Sequence, residues 1–88
     1  MKIKEGYIMK SLAGGYVVVT VGEASKEFNG MIRMNATGAF IWNTILKGAD
    51  SREKILSEMM NAYEDLDEAT ANKDLDVFTE NAKMALED

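Results

Sequence analysis

The sequence predicts an α+β fold in which a small antiparallel sheet comes first and helices follow. Three observations carry this. The first 34 residues are rich in β-branched and aromatic residues and contain a Gly-Gly turn signal. At Asn35 the apolar pattern changes from alternation to helical spacing and does not change back. Beyond Asn35 the chain divides into three helical stretches, each opened by a capping residue.

Residues 6–12 and 16–21 read as the first two strands. Ala13-Gly14-Gly15 between them suits a hairpin turn, because glycine accepts positive φ. Val17, Val19 and Val21 share one face of the second strand, and Tyr16, Val18 and Thr20 the other. Both faces are largely apolar, so both should be covered at least in part. Residues 22–27 form a polar connection. Residues 28–34 read as the third strand, with Gly30 inside it as a bend, a bulge or a close backbone approach.

Asn35 is a good N-cap for a first helix over residues 36–46. Phe40, Ile41, Thr44 and Ile45 give its apolar face, with Trp42 on a flank, and Gly48 ends it. Asp50 and Glu53 form a capping-box pattern for a second helix over residues 51–63. Its buried stripe is Ile55, Leu56, Met59 and Tyr63, and Met60 reads as further core filling. Asp67 caps a third helix over residues 68–86, with Ala71, Leu75, Phe78, Ala82 and Leu86 on its apolar side. The order is β-β-β-α-α-α in one domain spanning residues 1–88, a winged-helix-like arrangement. Because nothing after Asn35 reads as a strand, the third strand should lie at a sheet edge. Such an edge presents unpaired N–H and C=O groups to another chain.

Composition narrows the function. The sequence has neither His nor Cys, which removes most metal sites and most nucleophile–base pairs. No remaining group forms a recognisable catalytic constellation, so the chain reads as a binding protein and not as an enzyme, with no metal and no cofactor. Net charge is −5, which argues against a nucleic-acid partner. Residues 1–49 carry six Lys/Arg against three Asp/Glu, and residues 50–88 carry four against twelve. No apolar run is long enough for a signal peptide or a membrane span, so a cytoplasmic protein without membrane contact is expected.

The ordered run Ile32-x-Met34-Asn35-x-Thr37-Gly38-Ala39-x-Ile41-Trp42 is followed by Gly48, a capped helix ending near Tyr63, and Lys73-Asp74-x-x-x-Phe78. This set resembles the PqqD family over roughly residues 7–86. The sequence departs from the family pattern at Lys47-Gly48, where Asp-Gly is frequent, and at the end of the third helix, where Ala82 and Ala85 replace larger residues.

The resemblance implies a RiPP recognition element. Such a domain is a chaperone that binds the leader region of a ribosomally made precursor peptide and presents it to a modifying enzyme, often a radical SAM protein. It implies that the leader adds as a strand to the third strand and lies against the third helix. The peptide-binding candidates are then Phe28, Gly30, Met31, Ile32, Arg33 and Met34 on the strand, with Asp74, Phe78, Asn81 and Ala85 on the helix. Alternation turns either Met31 and Arg33 or Ile32 and Met34 toward the core; the expectation is that Ile32 and Met34 point inward, with Met34 under the first helix, and that Met31 and Arg33 face outward. Leu75 and Phe78 fit the core stripe, and Asp74, Asn81 and Ala85 flank it as groove walls. The chain should be a monomer, or a weak dimer paired through the strand edge. Two other readings stand beside this one. One is a winged-helix regulatory or DNA-binding module using Arg52 and Lys54. The other is an interaction subunit without a peptide ligand of its own.

Overall fold

The computed structural model describes residues 1–87. The element order is β1 (Lys2–Ile3), β2 (Tyr7–Leu12), β3 (Gly15–Thr20), α1 (Ala24–Glu27), β4 (Ile32–Met34), α2 (Ala36–Leu46), α3 (Arg52–Ala62), α4 (Glu68–Asn81), a 3-10 turn (Lys83–Ala85) and β5 (Leu86–Glu87). β2, β3 and β4 form an antiparallel sheet in that spatial order, so β4 is an edge strand. The α+β class and the three-stranded sheet are as the sequence predicts.

β2 and β3 meet in a two-residue turn. Ala13 (φ 44°) and Gly14 (φ 84°) both take left-handed backbone angles, so alanine occupies a position that glycine would fill at lower cost. Leu12 faces Gly15, and the ladder runs to Tyr7 opposite Thr20. β3 is covered on both faces, with Val17 and Val18 both buried.

The third strand is shorter than residues 28–34. Its register places Met34 opposite Tyr16 and Ile32 opposite Val18. Extended backwards, that register would set Phe28 against Gly22, but Gly22 (φ 62°) has already turned the chain out of the sheet. The Phe28 carbonyl instead accepts from Thr20 Oγ1 at 2.7 Å. The residues read as a polar connection contain the single turn α1, which buries Ala24.

The helices start where short polar side chains cap them. Asn35 Oδ1 accepts from the Gly38 amide at 2.8 Å, and Asp67 Oδ1 accepts from the Thr70 amide at 2.7 Å. At α3 the cap is Ser51, whose Oγ accepts from the Lys54 amide at 3.2 Å. Asp50, the expected cap, lies one residue outside and pairs with the Lys54 ammonium at 3.1 Å. Lys54 and the capping interaction hold the Asp50 and Asp67 carboxyls, respectively, below the ordinary aspartate value of 3.8. Gly48 (φ 117°) terminates α2 as expected.

Trp42 lies at the centre of the core and not on a flank. With Ile41, Ile55, Met59, Leu75 and Val18 it is among the largest fully buried side chains. Phe40 is half-buried and meets Tyr63 edge-on at 5.3 Å. Tyr63 and Met60, expected inside, are 41% and 38% exposed. Ile55 and Met59 already fill the side of α3 that faces the core.

α4 stops at Asn81 instead of continuing to Leu86. Ala82 and Ala85 are fully buried, and the Ala85 carbonyl accepts from the Lys4 amide at 2.8 Å. The chain then pairs with β1, Lys2 opposite Glu87 and Ile3 opposite Leu86. The expectation of helix to the end is therefore corrected by a strand whose partner lies at the far end of the sequence. That late strand leaves the outer edge of β4 untouched.

Two outcomes test this account. Asn35→Ala should lower stability by about 1 kcal/mol, read as a fall in Tm of about 4–8 °C in thermal unfolding. The depressed Asp50 and Asp67 carboxyls contribute stability that is complete above 3.8 and lost as pH falls through their lower folded-state values. Tm should therefore drop on acidification below about pH 4, and Asp67→Ser, which keeps a cap without a titrating group, should reduce that drop.

Candidate functional site

The arrangement around β4 follows from strand parity. In a two-residue hairpin the flanking pair, Leu12 and Gly15, exchanges both main-chain hydrogen bonds, and such pairs alternate along the ladder. Val17 therefore points its N–H and C=O at β2, while Tyr16 and Val18 point theirs at β4. Arg33, opposite Val17, must then direct its own N–H and C=O away from the sheet. The hydrogen-bond pattern agrees: the Arg33 carbonyl accepts from Asn81 Nδ2 of α4 at 2.8 Å. The Arg33 amide has no partner among the described residues.

Side-chain alternation runs as expected. Ile32 and Met34 are each 7% exposed and face inward, and Arg33 and Met31 are exposed. Met34 lies beneath the first turn of α2, where a Cβ at Gly38 would sit 3.4 Å from its own Cβ.

Between β4, the start of α2 and α4 runs a cleft of about 170 Å³. Arg33, Met34, Asn35, Thr37, Gly38, Asp74, Val77, Phe78 and Asn81 line it. Thr37 and Asp74 also line a second cleft of about 400 Å³, which continues past Tyr63, Glu64, Asp65 and Leu66. Phe78 is 3% exposed, so it is a core side chain that also lines the first cleft. Asp74, Val77 and Asn81, spaced three and four along α4, form the helical wall. No member of either cleft offers a nucleophile–base pair. No cluster of three or more His, Cys, Asp or Glu among the described residues could hold a metal ion. No helix among them is long and apolar enough to cross a membrane.

The structure thus brings together Arg33, Met34, Asp74, Phe78 and Asn81 of the residues singled out in the sequence. Met31 is exposed immediately before β4, and Ile32 is buried in the core. Three candidates stand elsewhere. Phe28 follows α1 and stacks on Tyr7 with ring centroids 6.3 Å apart. Gly30 lies outside the ladder, where a Cβ would come 2.9 Å from the Phe28 ring, so a ring and not a second backbone approaches it. Ala85 is buried in the turn after α4 and does not line the cleft. Sequence reasoning missed Asn35, Thr37, Gly38 and Val77 as lining residues. Val77 had a usable signal, since it falls on the α4 face that Asp74 and Asn81 define.

Arg52 and Lys54, the basic residues of α3, are both engaged with acidic partners. Arg52 Nη2 meets Asp76 at 2.7 Å and donates to Asn72, tying α3 to α4. Lys54 pairs with Asp50.

A family model described as "Coenzyme PQQ synthesis protein D (PqqD)" matches residues 7–85. The chain belongs to the PqqD family. A solved structure of TbiB1 in complex with the TbiA(beta) leader peptide has the same fold, at a TM-score of 0.70 and 20% identity over 100% of both chains. No curated protein matches the chain.

The division of labour on α4 can be measured. Phe78→Ala should cost about 3–5 kcal/mol in denaturant unfolding. Val77, 59% exposed, should tolerate Val77→Lys within about 0.5 kcal/mol. A large loss for Val77→Lys would mean that this wall is part of the core.

Proposed function

We propose that the chain binds the leader region of a ribosomally synthesised precursor peptide, by strand addition to β4, and presents it to a modifying enzyme. The observation that carries this reading is the outward-facing main chain of Arg33 beside the α4 cleft. Strand addition draws its generic affinity from main-chain hydrogen bonds and its selectivity from pockets for alternate side chains. β4 supplies an edge of the first kind, and the cleft supplies a pocket of the second. At about 170 Å³ the cleft has room for one branched aliphatic or small aromatic side chain.

Membership of the PqqD family supports the reading, as does a structural neighbour solved with a leader peptide. The peptide-contacting set is Met31 and Arg33 on the edge, with Met34, Asp74, Val77 and Phe78 around the cleft, where Asn81 bonds to the Arg33 carbonyl. Main-chain atoms of Arg33 and Met31 pair with the peptide, Phe78 and Met34 give the pocket its apolar surface, and Asp74 offers a carboxylate at the rim. The chain itself performs no chemistry. The enzyme it serves is of the radical SAM type or another peptide-modifying class, and the complex works in the cytoplasm, where precursor is made. The free chain is a monomer, or a weak dimer through the same edge.

The test uses ¹⁵N-labelled protein and synthetic peptides spanning the N-terminal halves of short reading frames that flank its gene. Amide shifts should concentrate on residues 31–35 and 74–81. Peptides N-methylated at alternate residues should lose binding in one phase and keep it in the other, because only every second residue of an added strand bonds to β4. Shifts centred away from these segments, or equal tolerance of both phases, would contradict strand addition.

A further inference from the structure

We infer that Asn81 is a built-in stand-in for the leader strand: its carboxamide masks half of the β4 edge and must be displaced when the peptide docks. This rests on the leader-binding reading above. Arg33 offers the edge one acceptor and one donor. The acceptor already receives Asn81 Nδ2 at 2.8 Å. A carbonyl oxygen only accepts, so it is the nitrogen end of the carboxamide that faces it. An added strand runs about 4.8 Å from β4 and brings an N–H to that same oxygen. The carbonyl has two lone pairs, so the exclusion is one of space: the Asn81 side chain crosses from α4 to the edge through the gap that a strand seated between β4 and α4 would fill.

The surroundings suit a bond meant to break. Asn81 is the last residue of α4 and is exposed, and Ala82 after it has left helical geometry. A neutral hydrogen bond on the surface is worth little net, about 0.5–1.5 kcal/mol. A docking strand replaces it and also supplies an acceptor for the Arg33 amide, which lacks a partner among the described residues. The mask has a second consequence. An unpaired edge beside an exposed Met31 (51%) invites pairing with another copy. By holding the Arg33 carbonyl, Asn81 discourages that while leaving one donor for an incoming peptide to find.

The test compares wild type with Asn81→Ala. For a flanking-frame leader peptide that binds wild type, the variant should bind about 2- to 10-fold more tightly, the value of the bond it no longer breaks. In wild type, the Asn81 side-chain NH₂ resonances should move to solvent-exposed positions as peptide saturates. Equal or weaker binding by Asn81→Ala overturns the mask, as does a carboxamide that keeps its bonded shift in the complex. If no flanking leader binds wild type, the leader reading fails. The mask is then judged without peptide, by sedimentation equilibrium. Asn81→Ala should self-associate at a lower concentration than wild type, and a variant as monomeric as wild type overturns the mask.

Discussion

The register between β3 and β4 is the constraint on which the rest depends. Tyr16 faces Met34, Val17 faces Arg33 and Val18 faces Ile32. Two independent requirements fix it. The two-residue turn at Ala13-Gly14 sets which residues of β3 point their main chain at β4. Burial of Ile32 and Met34 sets which side chains of β4 face the core. A slip by one residue would send both apolar side chains to solvent and bring Arg33 inside. With the register fixed, the Arg33 amide and carbonyl have nowhere to point but outward.

The helices then frame that edge. α2 leaves β4 through the Asn35 cap with no loop between, so its first turn becomes one wall of the cleft. α4 is held by Leu75 and Phe78 in the core and by Arg52, which bonds to Asn72 and Asp76. These contacts leave Asp74, Val77 and Asn81 facing β4. The acidic half of the sequence therefore supplies a groove wall, while its basic residues on α3 are spent on structure. A chain with no His, no Cys and no metal-competent cluster among its described residues presents this groove beside an open strand edge.

Much of this was legible from residue order alone. The alternation of Ile32 and Met34 against Arg33, the caps at Asn35 and Asp67 and the stop at Gly48 are local signals, and local signals were enough. The edge position of β4 came out as expected, although the premise that no strand follows Asn35 did not hold: β5 follows, and it pairs with β1 instead. What escaped was non-local. β5 is two residues long and exists through pairing with β1 at the other end of the chain. The third strand ended early because Gly22 turned its partner away, which no pattern within residues 28–34 announces. Ser51 displaced Asp50 as cap by one position, a choice that neighbouring capping residues leave open. Of the candidate residues, Phe28 and Ala85 lie away from the cleft because long-range contacts hold them, with Tyr7 and Lys4 respectively, and Gly30 lies away from it beside the Phe28 ring. Val77 was passed over because an exposed apolar residue on a helix has no partner visible in sequence.

The most direct measurement of the central claim is hydrogen–deuterium exchange of the β4 amides with and without a bound leader peptide. The Arg33 amide should exchange freely in the peptide-free protein and become protected in the complex. The amides of Ile32 and Met34, already committed to β3, should change little. Protection that appears at Ile32 and Met34 while Arg33 stays unprotected, or that bypasses β4 altogether, would contradict the account.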